Sequence, residues 1–174
     1  YYQKEILKRA SDNQKIGLFR TNSGTIKNLN LDANITVNGN NKYTKIGLLC
    51  GSNTITGTIE FCVVTGNVNS TATSGGSGNA STGLIIGRNM NILRYSTGHG
   101  NVTGVGYVGG LVGDMGSILE TCDRNAQPII RGCYFTGNVT ANNSNSLDIE
   151  VFGTSLGSII PVQSFGGGLC GVML

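Results

Sequence analysis

IGLLCG (46–51) returns along the chain as TGLIIG (82–87), GGLVG (109–113) and GGLCG (167–171), with a shorter IGLF (16–19) ahead of them. A second phrase follows the first: SGTIKNLNL (23–31), TGTIEFCVVTGNV (56–68), NILRYSTGHGNV (91–102) and IIRGCYFTGNV (129–139). Leu18, Leu48, Leu84 and Leu111 stand 30, 36 and 27 residues apart, and polar inserts of variable length (chiefly 69–81 and 140–148) separate the units. A unit of about 30 residues with two or three short apolar strands cannot bury its own inner face; stacked on copies of itself, it can. The spacing therefore predicts an all-β parallel β-helix (β-solenoid) of about four to five irregular coils. The four leucines are expected to line one interior column. The matching order of phrases in every unit argues against an antiparallel sandwich.

Composition agrees with many short strands joined by tight turns. Of 174 residues, 28 are glycine and 20 asparagine, only 12% are charged, and there is no Trp. A chain with so few charges keeps itself soluble through Asn, Ser and Thr, which suits an extracellular or cell-surface location. The net charge of +3 is uneven. Residues 1–45 carry eight Lys/Arg against Glu5, Asp12 and Asp32, whereas the remainder carries four basic and six acidic residues. The cations lack the aromatic interleaving of a nucleic-acid module, so they read as a solvated basic face able to meet an acidic one end to end. No stretch reaches the roughly 18 apolar residues of a membrane span. With no starting Met or signal peptide, the chain reads as a piece of something longer.

GNVTGVGYVGGLVGDMGSI (100–118) resembles the GLUG motif, as do IGLFRTNSGTIKNLNL (16–31) and CYFTGNV (133–139). The likeness covers roughly residues 16–140. GLUG repeats occur in bacterial surface and adhesin-like proteins and in the non-catalytic parts of IgA-peptidase-type proteins. The resemblance implies a parallel β-helix on a cell surface and supplies no catalytic residues. Arg20 stands where other units have glycine, 119–128 is an insertion, and 146–164 fits the pattern poorly. The domain is accordingly read as one solenoid: a cap or arm over 1–14, repeat coils over 15–145 and an atypical last coil over 146–174. Tyr2, Ile6 and Ala10 fall four apart with Lys and Glu between them, the period of a short amphipathic helix covering the first coil. An arm reaching a neighbour is the alternative.

Chemistry is sparse. Cys50, Cys62, Cys122, Cys133 and Cys170 fit no zinc spacing. Cys62 and Cys133 hold the same place in their units, but an intervening coil, bringing Arg94 or Tyr95 there, separates them beyond disulfide reach. Cys122 and Cys133, bridging the insertion, are the expected pair. His99 is the single histidine, in a glycine-flanked turn. Asp148 and Glu150 alternate on an expected strand and would share a face; Asp114, Glu120 and Asp123 are oxygen donors that could gather round Ca²⁺. Neither set forms a ligand loop or a nucleophile–base arrangement. No catalytic, cofactor or metal site is expected.

Six N-x-[ST] sequons occur at Asn34, Asn69, Asn79, Asn101, Asn138 and Asn142. Of these, Asn69, Asn79 and Asn142 fall in the expected loop inserts. The assembly ends are Tyr2 and Ile6 at one extremity and Leu169, Val172, Met173 and Leu174 at the other. The expected function is a non-enzymatic structural or adhesive module that associates head to tail or docks on neighbouring domains, with glycans as further partners. Carbohydrate binding or cleavage by a β-helix, and ice or crystal-surface binding, are the alternatives. The second wants TxT ranks, of which Thr54, Thr56 and Thr58 supply one.

Overall fold

A computed structural model describes residues 3–9, 14–38, 43–71, 80–116, 128–142, 146–151, 154–161 and 165–173, with side chains for 14–38, 43–71, 80–116, 128–142 and 168–170. It is an all-β parallel solenoid, with no helix among the described residues.

One pass of the chain visits four sheets in turn. In the second unit these strands are Lys45–Ile46, Cys50–Asn53, Thr58–Glu60 and Val63–Ser70. The first unit places Lys15–Ile16, Phe19–Asn22, Thr25–Lys27 and Asn30–Asn38 beneath them. The third places Ser81–Gly83, Ile86–Asn89, Ile92–Arg94 and the pair Thr97–His99 and Val102–Gly104 above. The fourth adds Tyr107–Gly109, Val112–Met115, Ile129–Arg131, Tyr134–Thr136 and Val139–Ala141. Every one of these pairings is parallel. Backbone donors reach up the stack, as in Leu18 N to Leu48 O (2.9 Å) and Leu48 N to Leu84 O (2.8 Å).

Two segments depart from the sequence reading. Gln3–Arg9 is a strand pairing in parallel with Asn30–Asn38 in seven register positions, Gln3↔Asp32 to Arg9↔Asn38, and not the expected helix. The four-residue spacing of apolar side chains is a weak local preference, and an open sheet edge outweighs it. In the tail, Ser146–Val151 and Thr154–Pro161 form the one antiparallel pair among the described strands. Phe165–Gly167 and Cys170–Met173 then rejoin the first and second sheets.

The interior is built of columns. Inward residues of the fourth sheet alternate along each strand: Leu31, Ala33, Ile35 and Val37 are buried, as are Val64 and Val68 one coil above. Ile59 and Leu93 stack in the third sheet, and Cys50, Ile86 and Val112 in the second. Across the interior, a Cβ on Gly98 would lie 2.7 Å from Leu111 Cδ2 and 2.9 Å from Leu84 Cδ2. This glycine is therefore what lets both leucines fill the centre.

The repeated glycine after the first phrase has a packing cause. A Cβ at Gly51 would sit 2.6 Å from Ile16 N, and one at Gly113 would sit 2.5 Å from Thr82 N, so first and second sheets touch backbone to backbone. Each such glycine rests on the coil below. Arg20 occupies the corresponding place in the first unit, where no first-sheet strand lies beneath among the described residues, and its side chain is exposed.

The expected leucine column is only partly right. Leu48, Leu84 and Leu111 are buried, but Leu18 is 43% exposed because it belongs to the lowest coil. Leu111 is also shifted by one: Thr82↔Val108 and Ile86↔Val112 set Gly110 opposite Leu84 and Leu111 opposite Ile85.

Candidate functional site

Three groups of non-apolar side chains stand out, and the first is inside. Asn22, Asn53 and Asn89 occupy one register column of the second sheet and are all buried. Asn22 Nδ2 donates to Asn53 Oδ1 (2.8 Å), and Asn53 Nδ2 donates to Asn89 Oδ1 (2.8 Å). The same amides reach the next turn, Asn22 Nδ2 to Gly24 O (3.1 Å), Asn53 Nδ2 to Gly57 O (3.0 Å) and Asn89 Nδ2 to Asn91 O (2.9 Å). The ladder ties each coil to its neighbour and its own corner to itself. Met115 ends it in the fourth unit.

Beside that ladder lies a buried ionic group. Asp114 accepts from Ser81 Oγ and from Arg88 Nε (3.1 Å), with Lys45 Nζ 4.0 Å away, and all four residues are buried. This bears on two readings of the sequence. Lys45 is not part of a solvated basic face, and Asp114 is not a loop ligand for Ca²⁺, because its carboxylate is already held by Arg88. Glu120 and Asp123 lie outside the described residues. No group of three metal-binding side chains occurs among those described.

The third group is outside, on the fourth sheet. Asn34, Asn67, Asn101 and Asn138 form an exposed ladder: Asn67 Nδ2 donates to Asn34 Oδ1 (3.0 Å), Asn101 Nδ2 to Asn67 Oδ1 (3.0 Å) and Asn138 Nδ2 to Asn101 Oδ1 (3.1 Å). The backbone N–H of each upper asparagine reaches the same oxygen. Gly66, Gly100 and Gly137 precede the upper three with φ of +134°, +148° and +139°. Three of the sequon asparagines, Asn34, Asn101 and Asn138, thus have their amides inside a ladder. Asn69 lies on the strand Val63–Ser70, not in a loop, and faces outward. Asn142 is exposed just beyond Val139–Ala141, and Asn79 lies outside the described residues.

The corner between third and fourth sheets carries backbone strain. Asn28, Phe61, Tyr95 and Gly132 occupy it in successive coils, at φ of 56°, 52°, 50° and 60°. Asn and Gly adopt this region readily; a bulky side chain there is a genuine outlier. The Phe61 and Tyr95 rings stack at 5.2 Å and 19°, both largely exposed, with Tyr134 and Val63 exposed beside them. On the third-sheet side runs the column Lys27, Glu60, Arg94, Arg131, in which Arg94 Nη2 meets Glu60 Oε2 at 2.6 Å.

His99 ends the strand Thr97–His99 instead of marking a turn; its Nδ1 shares a 2.6 Å hydrogen bond with Thr136 Oγ1, and its ring meets Tyr134 edge-on at 6.4 Å. Thr54 and Thr56 do not form a flat rank with Thr58. Their hydroxyls donate to Asn22 O (3.0 Å) and Ser23 O (2.9 Å) at a corner. Asp148 and Glu150 lie on the antiparallel strand Ser146–Val151, with a register irregularity between them, and their side chains are outside the described set.

Cys62 and Cys133 share a column, and the residue between them is Ser96, whose Oγ accepts from Cys62 N (3.1 Å), rather than Arg94 or Tyr95. Cys50, Cys62 and Cys133 are free thiols; Cys122, the expected partner of Cys133, lies outside the described residues. Burial pushes the Cys50 thiol up to about 11 and raises Cys62 and Cys133 as well. Protonated at neutral pH, these three are poor nucleophiles and serve as packing.

Of the expected end residues, Leu169 is exposed, Ile6, Val172 and Met173 are described as strand backbone only, and Tyr2 and Leu174 lie outside the described set. No family model, curated protein or solved structure matches the chain.

The inner ladder and the ionic group were missed by sequence reasoning, although a signal exists. Asn22, Asn53 and Asn89 each stand two residues after the Arg20, Gly51 or Gly87 slot.

Proposed function

We propose that the chain is a non-enzymatic structural or adhesive module, working outside the cell or at its surface, whose coils stack end to end with those of a second copy. The observation that carries this reading is the apolar end of the lowest coil. Leu18 and Phe19 are 43% and 40% exposed, whereas Leu49 and Cys50 directly above are fully buried. Lys15–Ile16, Phe19–Asn22 and Thr25–Lys27 are all edge strands among the described residues, with donors and acceptors facing away from the stack. Proteins block such edges or use them. Contact between unlike ends is heterologous and need not close, so repetition gives a filament. The low charge and the resemblance to GLUG-type surface proteins support the location.

Sedimentation velocity over a concentration series tests the association. The intact chain is expected to form growing species, weakened by salt to the extent that end charges contribute. Leu18→Lys with Phe19→Lys should hold it monomeric while changing stability by less than about 1 kcal/mol, since both sites are open to solvent. A strictly monomeric intact chain, or undiminished association of the double variant, would count against the proposal.

A further inference from the structure

Over the four coils above Gln3–Arg9, the outer face of the fourth sheet is an ordered array with little charge. Over four coils its outward positions are Asn30, Asp32, Asn34, Thr36 and Asn38; Val63, Thr65, Asn67, Asn69 and Thr71; Thr97, His99, Asn101 and Thr103; Tyr134, Thr136, Asn138 and Thr140. Fourteen of these eighteen are Asn or Thr, and Asp32 is the single formal charge among them; the strand Gln3–Arg9 continues the sheet below, with Glu5 and Arg9 in register with Asn34 and Asn38. Neighbours recur about every 4.8 Å up the stack and about 6.7 Å along a strand, the two repeats of a pleated sheet.

The array is held rigid without being used up. The asparagine ladder fixes the central column, yet Asn67, Asn101 and Asn138 each give only one of two N–H groups to it, and Asn34 only accepts. Thr36, Thr65, Thr103 and Thr140 make no side-chain hydrogen bond within the protein among the described residues. A second observation lies at the border of the face, where Phe61 and Tyr95 hold the left-handed backbone that Asn28 and Gly132 occupy without strain. Strain that persists in a fold is often kept for a purpose. The two stacked rings stand exposed at the corner that enters this sheet, and Val63 and Tyr134 are exposed at its first outward position.

We infer that this face binds neutral polysaccharide, presented as ordered chains. Repeating sugar hydroxyls both donate and accept, as do Thr hydroxyls and Asn amides in fixed ranks, while aromatic and Val63 surface at the margin covers the apolar C–H faces of the rings. The scarcity of charge over these four coils favours a neutral ligand over an acidic one. The inference rests on the module acting through its surface, but not on end-to-end stacking.

The test is a pull-down of the full chain with microcrystalline cellulose, chitin and insoluble mannan particles, at low and high salt, beside an ice-recrystallisation assay. Retention on at least one polysaccharide, unchanged by salt, is expected. Thr65→Lys with Thr103→Lys should weaken it about tenfold or more while the thermal midpoint stays put, since both positions face outward. Phe61→Asn with Tyr95→Asn, which relieves the strained corner, should weaken retention without lowering stability. Failure to bind any particle, equal binding by the threonine variant, or activity on ice alone would overturn the inference. Sedimentation of the same samples separates each result from a loss of self-association.

Discussion

Gly100→Val is expected to leave a chain with no cooperative thermal transition and no native circular dichroism. Gly100 sits at φ +148°, and a Cβ there would fall inside the carbonyl of Gly66 in the coil below. Gly66 stands in the same relation to the Ala33 carbonyl, and Gly137 to that of Gly100, so the backbone of each coil closes directly on the next. Neither neighbour can retreat, because the Asn67, Asn101 and Asn138 ladder is fastened to the same turns. A β-branched residue adds a backbone conformation it scarcely adopts. The combined cost exceeds about 4 kcal/mol, a large share of the 5–15 kcal/mol that holds a domain folded. Gly24→Ala is the control. Nothing lies within 4 Å of its would-be Cβ, and its melting curve should hardly move.

Asn53→Ala is expected to lower the unfolding free energy by about 3–5 kcal/mol, read from the urea midpoint at constant slope. Asn53 is the middle rung of the buried ladder and is fully enclosed. Its loss leaves the Asn89 Oδ1 without its donor and removes one bond each from the Asn22 amide, which keeps Gly24 O and Thr58 O, and from the Gly57 carbonyl, which keeps Ile92 N. Each orphaned group costs roughly 1–3 kcal/mol. Asn67→Ala breaks a ladder of the same geometry on the outer face, where solvent replaces the lost partners, and should cost about 1 kcal/mol or less. Equal losses from the two substitutions would mean that the burial difference has been misjudged.

The contrast shows what could be read from residue order. The recurring phrase, G-L-x-x-G in two units and G-L-x-G in two others, announces the close contact of first and second sheets, because only glycine permits it, and the parallel stack follows. The two ladders are harder to see, since asparagine also marks turns and caps, and letters alone do not separate a rung from a corner. Register was legible only to within one residue. Gly109 and Gly110 offer two equivalent places for the glycine before Leu111, and the backbone hydrogen bonds of the stack choose between them. Lys45 and Asp114 look like surface charges until coils two apart bring them within 4.0 Å. The segment Gln3–Arg9 has a helical spacing of apolar residues and a strand's fate, because the neighbouring edge at Asn30–Asn38 supplies a full row of partners.

Through-hydrogen-bond couplings in the NMR spectrum of the doubly labelled chain test the in-register parallel stack most directly, since each cross-peak names one donor nitrogen and one acceptor carbonyl. The structure predicts peaks joining Leu18 N to the Leu48 carbonyl, Leu48 N to Leu84, Val68 N to Asn101 and Val102 N to Asn138. In every case the partner lies one coil onward, and the partner number rises with the donor number. Partner numbers that fall as donor numbers rise, the signature of antiparallel pairing, would contradict the solenoid.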